Sequence, residues 1–241
     1  MGSAPPAPIA ESVGALKDAT ARLQATVSAA LDTGGPDPFA APCLLPGWTI
    51  GHLVSHLARN ADGMRRVLAG ARVGEQLQPY ASPRAREQDI IAGALRSTRS
   101  IALDFRSACD HLAEAVDELP AGTWSAVVDL GLGGPTTADV VLTTRLAEVE
   151  IHHHDLGLDD GLALLDDAQA SRLLSALLRS YARTRNVPGV TLIPEHGVTA
   201  VIGDGAVEVS GTAIDLVGWL SGRADGAALR TSGGLPELPP W

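Results

Sequence analysis

Two stretches of this chain carry metal-ligand side chains at helical spacing, and they restrict its fold more than any other feature. The first runs Gly47-Trp48-Thr49-Ile50-Gly51-His52-Leu53-Val54-Ser55-His56-Leu57, and the second runs Arg145-Leu146-Ala147-Glu148-Val149-Glu150-Ile151-His152-His153-His154-Asp155. His52 and His56 stand four residues apart, as do Glu148 and His152. On a helix that spacing puts both side chains on one face, one turn apart. If the two faces meet, the chain is a helical bundle with a His/Glu/His cluster inside it, the setting of a mononuclear metal enzyme.

Imidazole and carboxylate together suit zinc or another divalent metal of similar character. Three protein ligands leave one position open for water or a substrate atom, whereas a structural zinc is closed by four. His56, Glu148 and His152 are the candidate three. His153 and His154 are rotated off the Glu148 face by the helix period. His52 shares a face with His56 and stands as a fourth ligand, a support behind the ligands or a substrate contact. No HExxH occurs, so the common zinc-protease arrangement is excluded. The plain alternative is a set of helix-packing histidines with no metal. A single HxxxH arises often by chance, and a second face with a Glu four residues before a His weighs against that alternative. His111 and His196 are isolated and read as ordinary histidines.

The surrounding pattern supports a bundle. Glu11 to Leu31 has apolar residues at helical spacing. Thr33 to Pro46 is a Gly/Pro/Asp loop, and Thr49 is placed to cap a helix running to about Gly70. Ser82-Pro83 starts a long helical stretch to Leu119, with a break near Gly93. Trp124 to Leu130 reads as a short strand, followed by the Gly-rich stretch Gly131 to Pro135. Thr136 or Thr137 then caps a helix to Leu156, stopped by Gly157. Asp166 to Arg185 is a further amphipathic helix. After the turn from Asn186 to Gly189, β-branched runs at 190–193, 198–202 and 207–209 alternate with turns. Gly203-Asp204-Gly205 reads as a hairpin turn. Ser210 or Thr212 caps a helix to Leu220, and a last strand lies near Leu229 to Thr231. The expected organisation is a loose tail over 1–10, a helical bundle with the metal site over 11–186, and a small α+β domain over 187–241.

The net charge of −10 argues against nucleic acid as a partner, because phosphate needs a basic surface. No apolar run is long enough to span a bilayer, and the start lacks the build of a signal peptide, so a cytoplasmic protein without a membrane partner is expected. A monomer or weak dimer is the expected state. Cys43 and Cys109 form no CxxC and read as small packed thiols, so thiol chemistry would need a thiol from outside.

Leu45-Pro46-Gly47-Trp48-Thr49 followed by His56, the run Arg145-x-x-Glu148-x-x-x-His152-His153-x-Asp155-Leu156-Gly157, and Trp219-Leu220-Ser221-Gly222-Arg223 together resemble the mycothiol-dependent maleylpyruvate isomerases. That family is built on a DinB-like four-helix bundle followed by a small α+β domain, so the resemblance implies an α+β fold class. It covers nearly the whole chain. It implies zinc on His56, Glu148 and His152, with His52 the non-ligand of its pair. It implies a catalytic arginine at Arg223 and a substrate- or thiol-binding arginine at Arg86, with Arg84 its near neighbour. The implied cofactor is mycothiol, a low-molecular-weight thiol of actinobacteria, and the implied substrate is a small dicarboxylate from aromatic catabolism. Two other functions compete. One is a thiol S-transferase on the same scaffold, in which the thiol does not leave again. The other is a metal-binding or sterol-carrier-like small-molecule binding module without catalysis.

Overall fold

The computed structural model describes residues 6–32, 37–131, 134–182, 184 and 187–239. Parts of the expected tail (1–5), first loop (33–36), glycine-rich stretch (132–133), the end of the helix expected over Asp166 to Arg185 and its turn (183, 185–186) and the C-terminus (240–241) lie outside the described residues. The chain divides into two compact units, Met1–Gly161 and Leu162–Trp241. No described helix is long and apolar enough to cross a membrane.

The first unit is a four-helix bundle of α1 (Ala7–Leu31), α2 (Ile50–Val73), α4 (Thr98–Asp117) and α5 (Val140–Asp155), with α3 (Pro83–Ala94) against α2. Helix α1 begins at Ala7, inside the stretch expected to be tail; Pro8 stands in its first turn, where a missing N–H costs nothing. Leu53, Leu57, Ala61 and Leu68 of α2 recur at three- to four-residue spacing and are fully buried. Each buried leucine contributes roughly 1.5–3 kcal/mol by leaving water. They meet Leu23 and Val27 of α1, Ile101 and Phe105 of α4, and Leu142 and Val149 of α5 in one core. Helices α3 and α4 break at Leu95–Ser97, as the sequence suggested near Gly93. Gly93 itself does something else: a Cβ there would lie 2.8 Å from Ser55 Oγ, so its bare backbone lets α3 approach α2 one residue from His56.

Two local expectations change. The strand β1 (Val127–Asp129) pairs antiparallel with β2 (Pro135–Thr137), so Thr136 and Thr137 are strand residues and not helix caps. Their β-branched side chains suit that pairing, and α5 starts after Asp139 without a side-chain cap. Gly157, at φ +66°, ends α5 as expected.

The second unit holds α6 (Asp167–Tyr181), a four-stranded sheet and α7 (Ala213–Leu220). The boundary therefore falls before α6, not at residue 186. Helix α6 packs with α7, and Tyr181 Oη donates to the Leu220 carbonyl at 2.6 Å. The strands are β3 (Val190–Pro194), β4 (Ala200–Ile202), β5 (Val207–Gly211) and β6 (Arg230–Thr231), ordered β4-β3-β5-β6. The turn at 203–205 is present, but it joins no hairpin. Strand β3 lies between β4 and β5 and pairs parallel to β5, from Val190↔Val207 to Pro194↔Gly211. The overall class is α+β, a bundle followed by a small α+β unit.

Candidate functional site

Thr49 caps α2, accepting from His52 N, while His52 Nδ1 reaches back to Thr49 N in a capping box. The next turn places His56, 2 % exposed, toward α5. Its Nε2 lies 3.0 Å from Glu148 Oε2, and His152 Nε2 lies 3.4 Å from the same oxygen. The two imidazoles stand edge to face, 4.9 Å between centroids. One ligand atom from each of His56, Glu148 and His152 lies within 4.8 Å of the others. The geometry thus brings together the three residues that the spacing singled out.

The electrostatics fit a cation. Burial works against the Glu148 charge, but hydrogen bonds to His152 and His56 outweigh it and hold the carboxyl well below the usual range. Burial pushes His56 down, and the pull of Glu148 does not recover it. Burial also opposes charge on His152, yet its bonds to Asp155 and Glu148 raise its pKa. Asp155 is 2 % exposed, and its Oδ2 holds His152 Nδ1 at 2.8 Å. A carboxylate on the far nitrogen fixes the ring and makes Nε2 a better donor, as it does behind metal-bound histidines. Sequence reasoning did not assign this role to Asp155; the three-residue step from His152 was the available signal.

One contact opposes ligation as it stands. Arg86 of α3 donates from its terminal nitrogen to His56 Nδ1 at 3.0 Å. An imidazole that gives Nε2 to a metal carries its proton on Nδ1, and a protonated Nδ1 cannot accept from arginine. Ligation through His56 Nε2 and this Arg86 bond therefore exclude each other. The donor set and the Asp155 support fit a metal once Arg86 lets go. Arg86 also lies over the Tyr80 ring, 5.7 Å from its centroid. It lines a cavity of about 430 Å³ together with Trp48, His52, Glu87 and Ile90. Trp48 presents to the His56 ring, centroids 5.8 Å apart.

The remaining candidates are placed as follows. His52 caps α2 and lines the cavity, with its Nδ1 occupied by Thr49. Arg84 is exposed and is not among the residues lining that cavity. Arg223 belongs to the second unit, half-buried just after α7, and donates to the Ser221 carbonyl. His153 points the other way from His152, to Thr26 Oγ1 and Asp159 Oδ2, both at 2.9 Å. Both cysteines are free thiols. The segment before α2 is fastened to α5, since Leu44 N donates to the Asp155 carbonyl at 2.8 Å.

A bundle that brings two histidines and a glutamate from two helices to one point, beside a cavity, defines a candidate mononuclear metal site of the three-ligand type. The chain belongs to the mycothiol maleylpyruvate isomerase family, whose N-terminal domain matches residues 13–157. Two solved structures are similar over 97% of each chain at 26% identity: a mycothiol-dependent maleylpyruvate isomerase, with a TM-score of 0.82, and a histidine-to-alanine mutant of such an enzyme, with 0.81. Among curated proteins none matches.

Proposed function

We propose that this protein is a mycothiol-dependent isomerase that converts maleylpyruvate to fumarylpyruvate with a divalent metal, zinc in the first instance, on His56, Glu148 and His152. The observation that carries the reading is the convergence of those three ligand atoms within 4.8 Å in a chain of this family. His56, Glu148 and His152 would hold the metal, which would lower the pKa of the mycothiol thiol, and that thiolate would supply a reversible addition to the cis double bond that permits rotation to the trans product.

The chain's own residues hold and steer. Asp155 keeps His152 Nδ1 protonated and its Nε2 directed at the cluster. Arg86, released from His56, has a planar fork suited to a substrate carboxylate in the cavity it lines. Arg223 is assigned to the second carboxylate and to the enolate that forms on addition. Arg84, being exposed, is left to attract dianionic substrate from solvent. His52 is assigned to shaping the cavity wall. Neither Cys43 nor Cys109 is suited to be the nucleophile, because burial pushes both thiols up.

The test is to incubate zinc-loaded protein with maleylpyruvate, with and without mycothiol, and to follow substrate, product and thiol by chromatography. Fumarylpyruvate formed with the thiol returned intact supports the isomerase. A stable thiol adduct with the thiol consumed would mark a transferase. Neither product, with ligands bound, would mark a binding module.

A further inference from the structure

A second cavity lies in the bundle between α1 and α4, and shares no lining residue with the one beside His56. It measures about 200 Å³. Much of its lining is apolar, including Leu16, Leu112 and Val116, but Arg145, Cys109 and Gln24 also face it.

Arg145 is 1 % exposed and carries a full charge. Its hydrogen-bond partners among the described residues are all uncharged: the Leu57 carbonyl at 3.0 Å, Asn60 Oδ1 at 2.9 Å and Cys109 Sγ at 3.5 Å. No carboxylate lies within ion-pair distance of it among the described residues. Guanidinium offers five N–H donors, so capacity remains. A buried charge without a countercharge is costly, and proteins normally pair it. Gln24 lines the same cavity, and its Nε2 is buried and has no hydrogen-bond partner among the described residues. A cation and an idle amide donor at one apolar cavity ask for the same thing, an anion with an apolar body.

We propose that this cavity binds a small monocarboxylate, with its carboxylate toward Arg145 and Gln24 and its apolar body among Leu16, Leu112 and Val116. Size sets the class: an apolar cavity of about 150 Å³ holds a benzene ring, so 200 Å³ leaves room for a ring or short chain plus a carboxylate. Charge narrows it further. An amine would meet Arg145, and a dicarboxylate would leave its second charge among leucine and valine side chains. At the exposed side Lys17 offsets Asp117 at 2.7 Å; Asp110 also lines the cavity, but it is exposed and solvent screens its charge. This site goes beyond the proposed isomerase reading, and its occupant differs in charge from that dicarboxylate substrate.

Benzoate is a suitable probe, with benzamide as the uncharged control of the same shape. The experiment uses the full zinc-loaded chain carrying Cys43→Ser, which leaves Cys109 as its sole thiol. Binding is read by calorimetry, and occupancy of this cavity by the rate at which a small methanethiosulfonate modifies Cys109. Saturable benzoate binding that slows Cys109 modification is expected, with benzamide at least about tenfold weaker for want of the charge-assisted bond. Gln24→Leu should weaken benzoate, and Ala113→Phe, which fills the cavity, should abolish both binding and protection. Equal binding of benzamide, binding that survives Ala113→Phe, binding without Cys109 protection, or no binding at all would each overturn the proposal. None of these outcomes bears on turnover of maleylpyruvate, so this site and the isomerase reading stand or fall separately.

Discussion

Asp155 never touches the candidate metal, yet it should set how tightly the metal is held. Its carboxylate accepts from His152 Nδ1 at 2.8 Å in a buried position. Removing such a partner costs 10- to 100-fold in metal affinity, about 1.4–2.8 kcal/mol. The two ends of that range separate two substitutions. Asp155→Asn keeps an acceptor oxygen and loses only charge, so a loss of about tenfold is expected. Asp155→Ala loses both, and about 100-fold is expected. The backbone carbonyl that receives Leu44 N is untouched in either variant. The pH dependence adds a second check. Asp155 raises the His152 pKa above 6.5, against the effect of burial, so a proton competes more strongly with the metal in the parent than in the variants. The affinity gap should therefore narrow as pH falls from about 8 to about 6. Zinc competition against a chromogenic chelator measures both, with circular dichroism as the fold control. Parent-like zinc affinity in Asp155→Ala at the higher pH would refute the reasoning.

His56→Ala, Glu148→Ala and His152→Ala should each lose most bound zinc, whereas His153→Ala and His154→Ala should retain it; elemental analysis decides, and full zinc in His152→Ala would break the ligand assignment. In the parent, apparent zinc affinity should begin to fall on the alkaline side of pH 6.5, because the raised His152 is protonated first while the lowered His56 resists. Arg86→Met should tighten zinc by about three- to tenfold, by removing a charged donor that favours the wrong His56 tautomer, while turnover falls; unchanged zinc affinity would contradict this. Arg223→Ala should keep zinc and fold but lose about 3 kcal/mol or more of transition-state stabilisation, with little rescue by Arg223→Lys; near-parent kcat would remove Arg223 from the mechanism. Ser55 Oγ is buried without a partner among the described residues, so Ser55→Ala should add about 1 kcal/mol and raise Tm by roughly 2–4 °C; a lowered melting point would contradict it.

The candidate ligand cluster was legible because helical spacing is a strict geometric constraint, and Glu148 and His152 can face one partner only if α5 is a helix. The helix starts at Thr49 and Ser82 were legible for the same local reason, and of the two residues offered for α7, Ser210 and Thr212, the second is the cap. What the sequence concealed depends on partners distant along the chain. Thr136 and Thr137 suit a cap and a strand equally, and pairing with Val128 and Val127 decides. The glycines at 203 and 205 mark a turn, but nothing local says that β3 will slip between the strands it joins. Helix α6 looks like any amphipathic helix, and its packing on α7 assigns it to the second unit. Arg86 was visible as a cation, but its grip on His56 Nδ1 was not.

The fastening of Leu44 to the end of α5 bears on how fast a metal would leave, as distinct from how tightly it is held. The backbone bond from Leu44 to Asp155 sits between the two ligands' neighbours, four residues before the Trp48 ring that backs His56 and three after His152. The segment that leads into α2 is thus stitched to the end of α5 beside the cluster, and ordinary breathing of the bundle elsewhere need not spread the candidate ligands apart. Release would await local opening of this stitch, so exchange of the Leu44 amide with solvent would clock the lifetime of a bound ion.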